Sequence, residues 1–142
     1  MRAWKERGLR HLATLAAELV SARIERPAVD VITYIPPDPV RQLERARHPA
    51  QALAHELAAR WGLDCELLLE RARSTGRQAA LPRSARRANV HDVFVAKQHA
   101  YRRVLVVDDI YTTGATLSAA ATELRRDHDA RVEAVTFARA LR

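Results

Sequence analysis

Three residue classes that commonly build sites are scarce in this 142-residue chain: one cysteine, four glycines and 5% aromatic residues. A single cysteine, Cys65, excludes an internal disulfide framework and a cysteine-built zinc site. There is no Gly-Lys-Ser/Thr tripeptide and no Gly-x-Gly-x-x-Gly, so the two commonest glycine-rich nucleotide cradles are absent. No apolar run approaches the ~18 residues that cross a bilayer, because Arg or Glu interrupts every candidate. The charged start from Met1 to Arg7 lacks the apolar stretch of a signal peptide. With 48% hydrophobic residues the chain can bury a core. These features lead to the expectation of one cytoplasmic domain over residues 1–142 with no membrane span.

Acids are missing from one segment. Between Arg71 and Arg103 there are nine basic residues against the single Asp92, an excess larger than the net +7 of the whole chain. Compositional bias accounts for arginine over lysine, at 22 Arg to two Lys, but not for the avoidance of acids there. The segment predicts an anionic partner.

Leu9, Leu12, Leu15, Ala16, Leu19 and Val20 recur at helical spacing and predict a helix from near Gly8 to Ser21. The β-branched and aromatic run from Val29 to Ile35, stopped by Pro36-Pro37, predicts a strand. An apolar face from Pro49 to Trp61, with Gly62 as the stop, predicts a second helix. Cys65 to Leu69 reads as a short buried strand, and Val93 to Ala96 as another. Val104-Leu105-Val106-Val107 is continuous and apolar, the pattern of a parallel strand covered on both faces. A turn at Tyr111 to Gly114 leads into a helix from Thr116 to about His128, with Ala119, Ala120 and Leu124 inward, and Val132 to Ala138 is a final strand. The order predicts an α/β fold with a mainly parallel sheet. Trp4, Trp61 and Phe137 read as core or groove-lining residues rather than ligand stackers.

The chemistry concentrates in Asp108-Asp109-Ile110-Tyr111-Thr112-Thr113-Gly114-Ala115-Thr116. Two acids stand at the carboxyl end of a buried strand, where open α/β sheets place their ligands. The loop behind them is small and hydroxyl-rich and opens a helix. Its backbone N–H groups, its threonine hydroxyls and the helix N-terminus suit a terminal phosphate. The carboxylates suit neutral hydroxyls, with hydrated Mg²⁺ nearby. A phosphate at one end and a vicinal diol a few ångströms away describe a ribose 5-phosphate. A plain strand–turn–helix junction would explain Thr116 as a cap but leave the paired acids, the other threonines and Gly114 unaccounted for.

These nine residues resemble the phosphoribosyl-pyrophosphate (PRPP) motif of type I phosphoribosyltransferases. A second pattern, Arg71-x-Arg73-x-Thr75-x-x-Gln78-x-x-Leu81 followed by Arg86-x-x-Asn89-Val90 and Phe94, resembles the ComF family of competence proteins. Trp4-Lys5-Glu6-Arg7-Gly8 is similar to the element before that family's first helix, and Pro36, Arg41 and Arg45 fall in register with its loop after the first strand. Two departures stand out: this chain lacks the cysteines of the family's N-terminal zinc module, and Arg45-Ala46-Arg47-His48-Pro49 replaces its Arg-Gly-Phe-Asn-Gln.

The resemblance implies a type I phosphoribosyltransferase fold with a basic hood over the site. It implies a PRPP pocket formed by Asp108, Asp109, Tyr111, Thr112, Thr113, Gly114, Ala115 and Thr116, with Asp108 and Asp109 as the catalytic pair. Mg²⁺ would be held through water near those two acids, with no direct protein ligand. Pyrophosphate would meet Arg41, Arg45, Arg73, Arg77, Arg86 and Arg87, and Gln78 and Asn89 would orient those groups or fix a hairpin. The acceptor base is open, and so is a homodimer. Two functions then compete. One is transfer of 5-phosphoribosyl to a nitrogen nucleophile. The other is a non-catalytic competence module that binds single-stranded DNA and keeps the PRPP pocket as a sensor or a relic. The second would use the basic segment, but only Phe94 and Tyr101 in or beside it offer stacking surfaces.

Overall fold

A computed structural model of the chain describes residues 2–37, 48–72, 93–126 and 129–140. In chain order its elements are α1 (Arg2–Ser21), β1 (Val31–Tyr34), α2 (Pro49–Trp61), β2 (Asp64–Cys65), β3 (Leu69–Arg71), β4 (Phe94–Ala96), β5 (Arg103–Tyr111), α3 (Ala115–Arg126) and β6 (Arg131–Arg139). Four strands form a parallel sheet in the order β2-β1-β5-β6, and β3 and β4 pair as a separate antiparallel ribbon. The sheet expected from the element order is therefore present.

Strand β5 organises the core. Val104 and Val106 face one side with Leu124 and Ala120 of α3 and with Leu69 and Phe94 of the ribbon; Leu105 and Val107 face the other with α1 and α2. Both faces of its apolar run are covered, which is why the run is continuous rather than alternating. The ribbon is tied to the sheet through Thr33, fully buried in β1, whose Oγ1 accepts the Leu68 N–H at 3.1 Å. At the amino end, Asp30 receives Arg103 Nε and Nη2 on Oδ1 at 3.1 and 2.6 Å and the N–H groups of Arg102 and Arg103 on Oδ2 at 3.2 and 2.9 Å. That clamp fixes β1 against β5 and holds the Asp30 carboxyl below the usual carboxylate range. Among the described residues no helix is long and apolar enough to cross a membrane.

Three expectations need correction. Helix α1 starts at Arg2, and it buries Ala13, Ala16, Ala17 and Val20 while Leu12, Leu15 and Leu19 lie outside at 62%, 47% and 48% exposure. The partner decides the face: α2 offers Ala50, Ala54 and Ala58 to the same cluster, and small residues on both helices permit an approach that leucines would block. The single strand expected over Cys65 to Leu69 is split, because Cys65 pairs with Ile32 in the main sheet while Leu69 begins the ribbon opposite Ala96. Burial pushes the Cys65 thiol up to about 11, with the neighbouring Glu66 charge adding to it. Phe137 is 48% exposed, because β6 is an edge strand whose outer half nothing described covers, whereas Trp61 is buried as expected. The side chain of Trp4 lies outside the described residues.

Helix α2 follows its sequence signals closely. Pro49 stands in its first turn, and Gly62 ends it in the left-handed region at φ 62°. A Cβ at Gly62 would meet no atom within 4 Å, so only backbone strain opposes a side chain there. Gly62→Ala is expected to lower stability by about 1 kcal/mol, roughly 3 °C in melting temperature. Gly62→Asn, which tolerates this conformation better, should recover most of the loss. Thermal unfolding of the pair checks this; an unchanged alanine variant would contradict it.

Candidate functional site

The site begins where the β1–β5 pairing stops. The last register pair is Tyr34 with Val107, and the Ile35 N–H adds one further bond to the Val107 carbonyl at 3.0 Å. Strand β5 continues alongside β6 as far as Tyr111 opposite Arg139. Past Val107, among the described residues, β5 pairs on the β6 side only, and this carboxyl end of the sheet is where open α/β folds place their ligands. Asp108 and Asp109 are the first two residues there, both half-buried.

Their backbone supplies part of their support: the Asp109 N–H donates to Asp108 Oδ1 at 2.9 Å and the Ile110 N–H to Asp109 Oδ1 at 3.0 Å. Burial nevertheless pushes Asp108 up to about 6. The Asp109 carboxyl beside it acts in the same direction, and the Asp109 N–H and the Arg71 guanidinium act against it. The charge of Asp108 is thus only partly compensated by its surroundings.

Behind the acids, Tyr111 to Thr116 make the turn into α3. Thr112, Thr113, Ala115 and Thr116 are exposed, and Thr113 Oγ1 accepts the Ala115 N–H at 3.4 Å. The Ser118 N–H donates to the Gly114 carbonyl at 2.9 Å, so the N–H groups preceding it in the first turn have no acceptor within the helix. No acid stands in that turn, and Arg125 and Arg126 occupy the last one. The positive end of the helix dipole is thus left uncompensated at the loop. Gly114 is at φ 77°, and a Cβ there would lie 2.7 Å from Tyr111 Oη. The Tyr111 ring is packed down on the loop, with the Arg139 guanidinium 5.8 Å from its centroid.

The eight residues expected from Asp108 to Thr116 are thus brought together. Arg41, Arg45, Arg73, Arg77, Arg86, Arg87, Gln78 and Asn89 lie outside the described residues. Sequence reasoning assigned no site role to two cations. Arg139 is placed by the β5–β6 register. Arg71 donates Nε to the carbonyls of Pro36 and Pro37, both at 3.1 Å, and its guanidinium stands 5.2 Å over the Phe94 ring. Arg71 opens the acid-poor segment, which marked its charge but not its position. Among the described residues no group of three or more His, Cys, Asp or Glu side chains forms a metal site.

No protein-family profile matches the chain. It is 33% identical over 130 residues to competence protein F of Haemophilus influenzae, a match covering 87% of this chain and 56% of that protein. The chain therefore spans little more than half the length of the curated relative. Among solved structures it is similar to glutamine PRPP amidotransferase from B. subtilis in complex with ADP and GMP, with a TM-score of 0.56, 22% identity, and coverage of 91% of this chain and 26% of that one. An allosteric regulatory enzyme of purine biosynthesis gives a TM-score of 0.60 at 22% identity, covering 88% of this chain and 25% of that one. At such identities these two structures establish the fold.

The Asp108 carboxyl yields a pH test. The folded chain holds this proton up to about pH 6, the unfolded chain only to about 3.8, so ionisation between those values destabilises the fold. The penalty is absent below about pH 4 and complete above 6. Asp108→Asn is expected to melt about 1–3 °C higher than the parent at pH 7.5, solvent screening of this part-exposed group keeping the gain small. The gain should vanish at pH 4. A variant less stable at pH 7.5 would show that the carboxylate is held by contacts stronger than those described.

Proposed function

We propose that the chain, which has the type I phosphoribosyltransferase fold and is similar to competence protein F, binds PRPP with Mg²⁺ and transfers the 5-phosphoribosyl group to a nitrogen nucleophile. One observation carries this reading: two half-buried carboxylates stand beside an anion-ready helix-opening loop at the carboxyl end of the sheet, where β5 outruns β1. In this assignment Asp108 and Asp109 accept hydrogen bonds from the ribose 2′- and 3′-hydroxyls. The loop N–H groups and the hydroxyls of Thr112, Thr113 and Thr116 donate to the 5-phosphate. Gly114 lets the backbone approach the phosphate, and Tyr111 holds the loop from beneath.

The donor set suits a Mg²⁺ that arrives with the diphosphate. Two adjacent carboxylates with one pushed up to about 6 favour a nearby hydrated cation, and the described residues offer no third ligand for direct capture. Bound there, the ion would neutralise the diphosphate. The protein's own contribution is positioning and electrostatics: it fixes the ribose while the C1–oxygen bond to pyrophosphate breaks and positive charge develops on the ring. Arg41, Arg45, Arg73, Arg77, Arg86 and Arg87 are assigned by resemblance to the departing pyrophosphate. No residue is assigned as general base, and the acceptor is left open.

A second reading is favoured by the name of the curated relative and by the acid-poor segment: a competence module that binds single-stranded DNA. Salt separates the two. A nucleic-acid site would lose about 0.7 in the slope of log affinity against log salt for each arginine contact removed. A small-anion site would lose affinity unevenly from one arginine to the next.

PRPP with Mg²⁺ at 100 times its dissociation constant is expected to add about 2.7 kcal/mol, a rise of several degrees in melting temperature. Asp108→Asn and Asp109→Asn should each weaken PRPP binding roughly tenfold, the scale of one lost charge-assisted hydrogen bond, while inorganic phosphate still binds. Gly114→Val should lose both ligands, since its side chain would collide with Tyr111 and fill the phosphate approach. Titration calorimetry on the three variants checks the split, and unchanged PRPP affinity in all of them would make the motif structural.

A further inference from the structure

Helix α1 is apolar on two faces. Ala16, Ala17 and Val20 are buried in the cluster it shares with α2. Leu12, Leu15 and Leu19 lie on the other side, and they are three of the seven large hydrophobic residues left exposed among the described residues. With exposed Ala22 they recur at intervals of three, four and three residues, so they form one stripe along the helix rather than scattered points. A helix apolar on both sides needs a partner on both, and a contiguous exposed stripe marks a contact surface. Among the described residues α2 covers the first face and nothing covers the second.

The charges flanking the stripe identify its partner. Helical hydrogen bonding runs on past Ser21: the Ala22 N–H donates to the Glu18 carbonyl and the Ile24 N–H to the Val20 carbonyl, both at 2.9 Å. Ala22 and Arg23 therefore continue the faces of α1. In the heptad that puts Leu12, Leu15, Leu19 and Ala22 on the seam at a, d, a and d, Glu18 takes the g position and Arg23 the following e position. They stand on opposite flanks of the stripe, both exposed, and neither has an ion-pair partner among the described residues. Where two parallel helices meet along such a seam, each g residue faces the e residue five positions on in the other helix. Glu18 of each copy would then meet Arg23 of the other, and each leucine would meet its own counterpart. Antiparallel pairing would put like flanks together and lose both ion pairs. The stripe is complementary to itself, as a two-fold contact requires.

We propose that this stripe is a two-fold interface between two copies of the chain, with their α1 helices side by side and parallel. The inference is independent of the PRPP reading. Because α2 already fills the other face of each helix, the contact closes at two copies. The seam from Leu12 to Ala22 is only about 16 Å long. It falls short of the ~800 Å² per partner of a standard interface, so dissociation is expected on the order of 10 µM.

Sedimentation equilibrium on the full chain from about 1 µM to about 500 µM brackets that value. The parent is expected to pass from monomer to dimer mass. Leu12→Lys and Leu15→Lys should each stay monomeric throughout, with the circular dichroism of the parent, since both positions are exposed. Glu18→Arg and Arg23→Glu should each weaken the dimer at least threefold, and the chain carrying both exchanges should recover it. These charge variants serve if the lysine variants do not fold. A parent still monomeric at the highest concentration would overturn the proposal and leave the stripe to a partner of other chemistry. So would leucine variants that associate as the parent does, because the dimer would then use another surface. A double charge variant no tighter than the single ones would overturn the parallel pairing.

Discussion

Unequal strand lengths on the two sides of β5 are the constraint from which the candidate site follows. Pairing with β1 runs from Val31–Val104 to Tyr34–Val107, while pairing with β6 runs from Arg103–Arg131 to Tyr111–Arg139. Through Val107 both faces and both edges of the strand are occupied, and only apolar residues are tolerated. Beyond it, among the described residues, β5 pairs on the β6 side only, and the next two residues are the aspartates. The Asp30–Arg103 clamp at the other end fixes which four residues pair, so it also sets where that pairing stops. A one-residue slip would exchange the faces of the valines and shift the acids with them.

The candidate site is held together at a cost. Burial leaves Asp108 with a carboxyl pushed up to about 6, and the described cation acting against that is Arg71, borrowed from the ribbon. On the other side, Gly114 accepts a left-handed backbone while the Tyr111 ring closes against it and Arg139 covers that ring. Removing the glycine would disturb the stack, and removing the stack would release the loop. Both halves are therefore shaped before any ligand arrives, which lowers the ordering cost of binding.

Legibility in the sequence follows how local each determinant is. The valine run, the paired aspartates and the threonine-glycine turn are contiguous, so the strand, the turn and the helix after them could be read directly. Pro49 and Gly62 mark α2 for the same reason. The buried face of α1 could not be read, because its leucines and alanines both satisfy a helical period and only the alanines of α2 decide between them. The break between Cys65 and Leu69 depends on a hydroxyl 35 residues away, where Thr33 takes the Leu68 N–H. Arg71 heads a local arginine pattern, but its contacts, with carbonyls 34 and 35 residues back, could not be read from it.

The surplus of arginine over lysine, 22 to two, looks like bias alone until each position is asked what it needs. Lys97 sits in an exposed ion pair with Glu70 at 3.5 Å, where a point charge is enough. Arg131 with Glu133 at 3.2 Å is similarly exposed and would tolerate the same exchange. Arg103 is different, since it gives Nε and Nη2 to one carboxylate oxygen while its own N–H serves the other. Arg71 differs more, with two carbonyls at one nitrogen and an aromatic ring beneath the plane. Arg103 uses the planar fork, which a lysine ammonium cannot reproduce. Bias fills the surface with arginine, and at the start of β1 the geometry of the Asp30 clamp requires it.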